Sequence, residues 1–575
     1  MSGLSLSPAA ARSPFAGSAA AIFWEEARNA LPGLPGGGLN IAWEAVDRHV
    51  LDGRGQAVAL RWLGEADSCR DFTYLELAKL SGQFAQVLQQ LEVGSGERVF
   101  TLLGRVPELY ITALGTLKQG AVFSPLFAVF GPEPIRLRLT AGKARVLVTT
   151  QRLYEDKIKP LRKLLPELKQ VLLVDKESPA ADNFWQRLNY AGAQSFLPAT
   201  RAESPALLHF TSGTTGRAKG VLHRHGAVVA HYATAQKALA LRSGDIFWCT
   251  ADPGWVTGTS YGIIAPLVIG ATLLVESQEF EPQRWCRILQ DYRVNVWYTA
   301  PTALRMMMRL GSEFFKAYDF SSLHFAASVG EPLNAELVLW GREIFGCPLH
   351  DSWWQTETGA IMIANYVGIA VKPGAMGKAL PGIECAVVKR MAEDRLEMIA
   401  TPETVGELAL RAGWPSMFVA YIDDEKRYRR CFIDGWYLSG DLVRRDADGY
   451  FWFVGRRDDA IKSAGHLIGP YEVERVLLAH PAVADVGVIG IPDPLLYESV
   501  RACVVLKVGF CASEQLKREL KAWARRVLGP AVAPREVEFF ERLPKTRSGK
   551  IMRRVLRARV LGEAVGDLST LDENL

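Results

Sequence analysis

The chain has 575 residues, of which 49% are hydrophobic and 22% are charged. This is an ordinary globular composition, and the length predicts two or more domains because it exceeds what a single core supports. The 67 Lys and Arg residues outnumber the 62 Asp and Glu residues by only five, so the charge does not indicate a nucleic-acid partner. No apolar stretch is long and clean enough to span a bilayer, and we expect no membrane partner.

The first 20 residues, MSGLSLSPAAARSPFAGSAA, lack the basic start and the continuous apolar segment of a secretory signal. We predict a disordered extension over residues 1–22. The eight cysteines are scattered singly, without a C-x-x-C pair. This spacing argues against a zinc site or a disulfide framework and favours a reducing compartment, so we predict a cytoplasmic location.

An α/β pattern begins near Asn40. The segment from Thr73 to Glu76 has the sequence of a helix capping box, and a helical apolar stripe follows it. Short apolar runs then alternate with helix-length segments, which is typical of parallel sheets covered on both faces. The expected fold class is α/β, with a large N-terminal domain of layered, mostly parallel sheets and flanking helices. The predicted strands are 98–103, 145–150, 170–175, 206–210, 245–250, 271–276, 294–299 and 323–329.

Four loops follow the ends of predicted strands, where parallel sheets bind their ligands. They begin at Thr211, Asp252, Ala300 and Gly330, and we expect them to converge on one crevice.

The first of these loops belongs to the segment LLHFTSGTTGRAKG, residues 207–220. Gly213 and Gly216 allow backbone conformations that a Cβ would block, so the loop can wrap a polyanion, to which Lys219 adds a mobile charge. A Walker-type P-loop is excluded, because that motif ends in Gly-Lys-Ser/Thr and this segment ends in Ala-Lys-Gly. A generic flexible loop is the alternative. We favour a triphosphate-binding loop of another kind.

The pattern of the sequence changes after Asp441. A turn, an alternating strand and a charged run precede a smaller α+β unit, and we place the domain boundary at Asp458. The domains are then 23–457 and 458–575. The elements predicted in this region are a turn at 446–449, strands at 450–454, 486–491 and 501–508, and a helix from Ser513 to Leu528 that buries Leu516, Leu520, Trp523 and Val527.

The last basic run, LPKTRSGKIMRRVLRARVL, predicts a helix with a solvated basic face. We expect that face to carry Arg553, Arg554, Arg557 and Arg559. Lys550 does not fit this interpretation, because Ser548 and Gly549 place it on a loop tip before the helix. Such a lysine is suited to reach into a site.

Seven motifs, in this order, resemble those of the acyl-adenylate-forming superfamily of acyl-CoA synthetases, luciferases and peptide-synthetase adenylation domains. Within it, the AMP-forming acetyl-CoA synthetases are the most similar group, over about Asn40 to the end. The resemblance implies that a carboxylate displaces pyrophosphate from ATP to give acyl-AMP, and that CoA then displaces AMP. The motifs are TSGTTGRAKG (211–220), ADPGWVTG (251–258), SVGEPLN (328–334), DSWWQTETG (351–359), YLSGDL (437–442), GRRDD (455–459) and PKTRSGK (544–550).

The first step needs positioning and charge stabilisation at an in-line phosphorus. By resemblance, Lys550 lies between the carboxylate and the α-phosphate, and Thr356 hydrogen-bonds that phosphate. Glu357 would help to hold Mg²⁺, which uses few protein ligands beside phosphates; a capped helix start is the alternative for this segment. The expected nucleotide-binding residues are Thr211, Ser212, Gly213, Thr214, Thr215, Gly216 and Lys219 for the phosphates, Gly330, Glu331 and Pro332 against the adenine, Asp441 and Arg456 at the ribose, and Asp351, Ser352, Trp353 and Gln355.

In the second step of similar enzymes, a small mobile domain swings about a hinge acid that Asp458 matches. Ala464 and Gly465 would then line the pantetheine tunnel, and Arg525 would lie near the CoA nucleotide. A helix-surface arginine is nearly as good an interpretation of Arg525. Leu467 stands where relatives have an Arg, which predicts a slower thioester step.

The acyl pocket is expected from the two adjacent indoles of DSWWQTETG. Consecutive residues of an extended segment point to opposite faces, so both cannot line it. By resemblance, Trp353 flanks the adenine, while Trp354 closes a small cup formed with Val256, Thr257 and Val329. Burial of both indoles in the core is the alternative.

The sequence therefore predicts an ATP-dependent acetate–CoA ligase that uses ATP, CoA and Mg²⁺. The alternatives are a propionate or longer-chain ligase, an adenylating enzyme with a non-CoA acceptor, and a catalytically weak nucleotide-binding protein. A protein acyltransferase and a deacylase acting on Lys550 are candidate partners, because this lysine is acylated for control in some relatives.

Overall fold

The computed structural model describes residues 19–175, 182–192, 196–211, 219–391, 394–463, 466–494, 496–530, 532–546, 549–565 and 571. Within these ranges, no helix is both long enough and apolar enough to cross a membrane. The extension predicted over residues 1–22 lies outside the described residues up to residue 18, and from Ala19 the chain is helical. The helix forms because it is anchored: Trp24 is buried and its indole donates to the Gly382 carbonyl (2.8 Å).

Most of the helices lie in the N-terminal domain. The capping box predicted at Thr73 and Glu76 is confirmed, with both of its reciprocal hydrogen bonds present. The helices are α1 (Ala19–Asn29), α2 (Tyr74–Gln90), α3 (Pro107–Gln119), α4 (Pro132–Ala141), α5 (Gln151–Leu153), α6 (Phe184–Tyr190), α7 (Ala227–Ala238), α8 (Val256–Thr259), α9 (Ala265–Ile269), α10 (Pro282–Asp291), α11 (Pro301–Met308), α12 (Ser312–Phe315), α13 (Ala335–Phe345), α14 (Glu425–Arg430), α15 (Pro470–Leu478), α16 (Glu514–Leu528) and α17 (Arg553–Leu561).

Shorter helical turns complete this set. They are π-helical at Trp43–Asp47, Val50–Arg54, Tyr154–Ile158 and Ser260–Ile264, and 3₁₀-helical at Glu65–Asp67, Lys159–Leu164 and Arg457–Asp459.

Each of the predicted strands overlaps a strand of the structure. The strands are β1 (Val58–Leu63), β2 (Cys69–Thr73), β3 (Arg98–Leu102), β4 (Val122–Leu126), β5 (Ala144–Thr149), β6 (Gln170–Leu173), β7 (Pro205–Thr211), β8 (Lys219–Arg224), β9 (Ile246–Cys249), β10 (Thr272–Glu276), β11 (Val296–Thr299), β12 (Phe325–Ser328), β13 (Leu349–Trp353), β14 (Ile363–Ala364), β15 (Lys378–Ala379), β16 (Cys385–Arg390), β17 (Leu396–Met398), β18 (Gly406–Arg411), β19 (Ala420–Tyr421), β20 (Phe432–Ile433), β21 (Trp436–Arg445), β22 (Phe451–Arg456), β23 (Ile461–Ser463), β24 (His466–Ile468), β25 (Val483–Asp493), β26 (Tyr497–Leu506) and β27 (Glu536–Phe539).

The largest sheet of the described residues has the order β15-β14-β13-β12-β11-β9-β10-β1-β2. Strands β9, β11, β12 and β13 run parallel to one another within it. The loops that begin at Asp252, Ala300 and Gly330 therefore leave the same edge of one sheet. The convergence of all four predicted loops on one crevice stays a prediction.

The loop after Thr211 belongs to a second sheet, of order β19-β8-β7-β4-β3-β5-β6. As expected, β7 pairs in parallel with a neighbouring strand, β4. The loop after it leads into β8, however, and β7 and β8 form an antiparallel pair in which Thr211 lies opposite Lys219. The polar side chains of β8 hid this strand in the sequence, although His223 is buried.

A third, antiparallel sheet contains β16, β17, β18, β20, β21 and β22, and leads to the small domain. The small domain packs α15 and α16 on strands β23–β27 around a core of its own. This organisation is the mixed α/β fold that the sequence predicts, with layered sheets in the large domain and a smaller α+β domain after it.

Two details of the small domain differ from the sequence-based expectations. On α16, Leu516 and Leu520 are buried, but Val527 is 59% exposed, and Ala524 continues the buried line at a spacing of four. On α17, Arg553 is not solvated; it forms an ion pair with Glu474 (2.6 Å). Arg553 therefore lies against the buried carboxylate of Glu474 and not in solvent.

Candidate active site

A cavity of about 310 Å³ lies between the two domains. It joins residues that are distant in the sequence, which is typical of a ligand site at a domain interface. Its large-domain lining includes Gly330, Glu331, Pro332, Asp351, Ser352, Trp353, Trp354, Gln355, Asp441 and Arg456, and its small-domain lining includes Tyr471, Gly549 and Lys550.

Asp441 is a buried carboxylate of the cavity, only 3% exposed, and accepts three side-chain hydrogen bonds. Arg456 donates to its Oδ1 (2.6 Å), while the Trp353 indole (2.9 Å) and the Gln355 amide (3.0 Å) donate to its Oδ2. The Tyr437 hydroxyl in turn donates to Gln355 Oε1 (2.8 Å). The carboxylate is thus fixed in orientation. Its Oδ2 already accepts two hydrogen bonds, while Oδ1 keeps a second acceptor position for a ligand hydroxyl.

Lys550 enters the cavity from the small domain, just after Gly549. Enclosure in the cleft and the nearby Arg456 lower the pKa of its ammonium group, while Asp459 and Asp441 act in the opposite direction. The loop-tip position predicted for this lysine is confirmed, because α17 begins only at Arg553. It faces the same space as the Asp441–Arg456 pair.

Glu357 and Lys219 form a second polar group, beside the hairpin of β7 and β8. The Tyr421 hydroxyl donates to Glu357 Oε1 (2.7 Å), and the ammonium of Lys219 lies 5.8 Å from the centre of the Tyr421 ring. Burial and the adjacent carboxylate raise the pKa of the Tyr421 phenol, so it stays protonated and donates. Burial lowers the pKa of Lys219, and Glu357 partly offsets this.

The loop that carries Thr356 and Glu357 is held from beneath by buried groups. His223 faces the Thr356 carbonyl (2.8 Å), and His231 faces the Gly359 carbonyl (3.0 Å). The Thr358 carbonyl accepts hydrogen bonds from the side chains of Trp414 (2.9 Å) and Ser416 (2.7 Å).

Both histidine rings are neutral near pH 7, because burial lowers the pKa of His223 to about 4 and that of His231 to about 3. Sequence reasoning missed these supports, since each partner lies more than a hundred residues away along the chain.

We expect His223→Ala to slow the adenylation step by roughly ten- to one-hundred-fold, because the Thr356 carbonyl, together with that of Ser416 (3.0 Å), loses the ring that faces it. The measurement is acid-dependent exchange of pyrophosphate into ATP, with the KM for ATP. His49→Ala is the matched control: His49 is also buried and faces a carbonyl, that of Leu267 (2.8 Å), far from the loop. Equal losses in both variants would mean that His223 only stabilises the fold.

Asp351 lies deeper in the cavity and is almost fully buried. Burial raises the pKa of its carboxyl to about 7. The hydrogen bond that its Oδ1 accepts from the Ser352 N–H (2.9 Å) acts in the opposite direction.

Trp255, which the sequence did not single out, lies against Gly330: a Cβ at Gly330 would come 3.1 Å from its ring. A side chain at position 330 would therefore push the indole aside.

Trp354 borders the cavity, but the other members of the predicted acyl cup do not appear in its described lining. The Trp354 indole donates to the Tyr298 hydroxyl (3.1 Å) and meets the Tyr261 ring edge-on at 5.1 Å. Val329 and Thr257 are buried and Val256 is partly buried. The cup stays a prediction.

The chain crosses between the domains at residues 456–459. Two arginines contact acids of the large domain: Arg456 donates to Asp441, and Arg457 pairs with the buried Glu407 (3.4 Å). Asp459 pairs forwards with Arg553 of the small domain (3.5 Å). The exposed Asp458 is the residue between these two sets of contacts.

Several residues that the sequence predicts for the site are not located at the cavity by the structure. Ser212, Gly213, Thr214, Thr215 and Gly216 lie outside the described residues, as do Ala464, Gly465 and the side chain of Leu467. Arg525 is exposed on α16 and is not among the described residues that line the cavity.

Comparison with known proteins matches the sequence profile of the AMP-binding enzyme family to residues 47–421. The profile of the AMP-binding enzyme C-terminal domain matches residues 472–550. An acetyl-coenzyme A synthetase of Bacillus subtilis (strain 168) is 44% identical over 561 residues, which cover 96% of each chain. That of Methanothrix thermoacetophila is 39% identical over 568 residues, covering 93% of this chain and 85% of the relative.

Two solved structures are similar along almost the whole chain. The acyl-CoA synthetase of Brucella canis is 32% identical with a TM-score of 0.72, over 94% of this chain and 97% of that chain. The anthranilate CoA ligase AuaEII, solved in complex with anthranoyl-AMP, is 27% identical with a TM-score of 0.82, over 93% and 99%.

Proposed function

This chain belongs to the AMP-binding enzyme family, and from that premise we propose that it is an ATP-dependent acetate–CoA ligase. The reaction would yield acetyl-CoA, AMP and pyrophosphate through enzyme-bound acetyl-AMP. The support is that acetyl-coenzyme A synthetases 36–44% identical to this chain align with more than nine tenths of it.

The observation that carries the proposal is the meeting of Lys550 with the Asp441–Arg456 pair in one cavity. The carboxylate oxygen of acetate attacks the α-phosphorus of ATP, and the bond from phosphorus to the pyrophosphate oxygen breaks. Lys550 would neutralise charge between the two reacting groups, while Asp441 would hold the ribose hydroxyls. Such preorganised charge is usually the largest catalytic contribution.

The residues present fit Mg²⁺ as it is held in phosphoryl-transfer sites. Within the described residues, no group of three or more His, Cys, Asp or Glu side chains could bind a metal ion alone. Glu357 offers one carboxylate beside Lys219 and the hairpin that leads to the phosphate loop. One carboxylate together with ATP phosphates and water is a donor set that Mg²⁺ uses, and when bound it would neutralise phosphate charge.

We further propose that the small domain pivots at Asp458 between the two half-reactions. The contacts of residues 456–459 support this: within this segment Arg456 and Arg457 bond to the large domain, whereas Asp459 bonds to the small domain. The CoA thiolate then attacks the acyl carbon and AMP leaves. Ala464, Gly465 and Arg525 stay predictions for the CoA path.

Asp458→Pro should separate the two half-reactions. Proline fixes φ near −65°, so a pivot that needs this torsion is blocked. We expect acetate-dependent pyrophosphate exchange to persist and thioester formation from supplied acetyl-AMP to fall by a factor of ten or more. Asp458→Ala is the control, since it removes the charge and keeps the torsion free. Equal loss of both activities in the proline variant would contradict a hinge at this residue.

The proposed function itself is tested by pyrophosphate exchange with acetate, propionate and butyrate, followed by CoA addition and thioester detection. Acetate should be the best acid and should yield acetyl-CoA. A preference for propionate or butyrate would indicate the longer-chain ligase, and exchange without thioester would indicate a non-CoA acceptor.

Control by a protein acyltransferase and a deacylase acting on Lys550 is a further proposal, supported by the lowered pKa of this lysine in the cleft. A lowered pKa increases the fraction of the amine that is unprotonated at neutral pH, and only the unprotonated amine attacks acyl donors. The cytoplasmic location predicted from the scattered cysteines stays a prediction.

A further inference from the structure

We propose that Thr302, Arg305 and Glu331 of the large domain form a docking seat for Gly549, and that this seat positions Lys550 for adenylation. Together these three large-domain residues are called the glycine seat. The inference rests on the proposed two-step function. It assigns positioning roles to Thr302, Arg305 and Gly549, whereas Glu331 was expected only to lie against adenine.

The glycine seat is a closed set of hydrogen bonds at the start of α11. The Thr302 hydroxyl donates to Glu331 Oε1 (2.5 Å), and Arg305 donates to the Thr302 oxygen (2.8 Å). Arg305 also forms an ion pair with Glu331. The three side chains thus fix one another, and Glu331, directly after Gly330, borders the cavity.

Gly549 sits against this seat so closely that only glycine fits. A Cβ built on Gly549 would overlap the Thr302 hydroxyl and lie 2.9 Å from Glu331 Oε1 and 3.0 Å from Thr302 Cβ. The backbone of Gly549 is also left-handed, with φ +85°. The small domain therefore meets the large domain through bare backbone at the residue before the lysine.

The connection from Gly549 to Lys550 is stiff within the described residues. The Gly549 N–H donates to the Thr546 carbonyl (2.7 Å), and the Thr546 N–H donates to the Lys550 carbonyl (2.8 Å). The Lys550 N–H donates to Thr546 Oγ1 (3.1 Å). A displacement of Gly549 by the width of a methyl group would thus carry the Lys550 backbone with it.

The seat acts in only one pose of the small domain. Thr302, Arg305 and Glu331 belong to the large domain, and Gly549 leaves them as soon as the small domain turns about Asp458. A change at this contact should therefore slow adenylation and spare the thioester step. A merely structural role would slow both.

The test is Gly549→Ala, assayed in the full-length enzyme for both half-reactions. Acetate-dependent pyrophosphate exchange should fall roughly ten- to one-hundred-fold, as overpacking of a rigid contact predicts. Thioester formation from supplied acetyl-AMP and CoA should keep at least half of its rate. Gly562→Ala is the matched control, because Gly562 is also left-handed (φ +69°) in the same domain, but none of the described atoms outside its chain neighbours would lie within 4 Å of a Cβ placed there.

A second variant separates steric contact from backbone strain. Thr302→Ala in the Gly549→Ala background removes the hydroxyl that the new methyl overlaps, so exchange should recover several-fold relative to Gly549→Ala alone. Non-additivity of this kind is the signature of direct contact. Additive losses would overturn the proposal, as would equal losses of both half-reactions in Gly549→Ala.

If Gly549→Ala does not fold, Thr302→Val provides the test of the glycine seat. This substitution is nearly isosteric and lies in the large domain. It removes the hydrogen bonds that join the Thr302 hydroxyl to Glu331 and Arg305. It should slow exchange and spare the thioester step; equal slowing overturns the seat. Failure of the proposed function is distinct from these results. In that case the wild-type chain itself would show no acetate-dependent exchange.

Discussion

Replacing Lys550 with alanine should reduce acetyl-AMP formation by two orders of magnitude or more, while leaving thioester formation from supplied acetyl-AMP intact. The magnitude is that of deleting one preorganised charge contact with the transition state. Lys550 is a small-domain side chain that borders the cavity together with Asp441 and Arg456, and the proposed pivot would withdraw it before CoA attacks. The measurement is pyrophosphate exchange for the first step and thioester release for the second.

Arg559→Ala is the control for loss of one positive charge in the small domain, since Arg559 is exposed on α17. It should change neither rate. Equal loss of both half-reactions in Lys550→Ala would show that this lysine supports the domain as a whole, and the assignment of separate roles would fail.

Replacing Trp354 with glycine should shift the preferred acid from acetate toward butyrate and longer chains. If Trp354 closes the acyl cup as predicted, a longer acid must displace packed atoms of the indole, which costs roughly 1–3 kcal/mol. It also forfeits about 0.8 kcal/mol for each CH₂ that an open pocket would bury. Acetate itself should bind more weakly, because the variant leaves a cavity behind it. The Tyr298 hydroxyl stays satisfied, since it keeps its hydrogen bond with Ser352 Oγ (2.7 Å).

The measurement is kcat/KM across straight-chain acids for the wild type and the variant. Trp340→Gly is the matched control, because Trp340 is buried in a separate core and does not border the cavity. It should lower stability without moving the chain-length optimum. An unchanged optimum in Trp354→Gly would place Trp354 in the core and remove this support for acetate.

The elements that the sequence predicts well are those whose signal is local. Parallel strands such as β5 and β11 are continuous apolar runs because both faces of their sheets are covered, and the capping box at Thr73 is complete within four residues. The site motifs also place Asp441, Arg456 and Lys550 in one cavity, as the resemblance implies.

The elements that it misses depend on distant partners. Strand β4 contains Pro125, which argues against a central strand, yet β4 pairs with both β3 and β7. Strand β8 contains polar side chains, and the buried His223 among them faces two distant carbonyls, those of Thr356 and Ser416. Thr302 and Arg305 resemble ordinary helix residues until Glu331 and Gly549 are beside them. Burial of Arg553 likewise follows from Glu474, and no local pattern encodes either pairing.

The support beneath Thr356, Thr358 and Gly359 has a consequence for conformational entropy. These carbonyls are already tied to buried side chains of His223, His231, Trp414 and Ser416 before any substrate arrives. Ordering one free residue costs about 1–2 kcal/mol, so a slack loop of this length would consume several kcal/mol of the affinity for ATP. Here that ordering is completed once, when the protein folds. The binding free energy of each nucleotide is then available for aligning its phosphates.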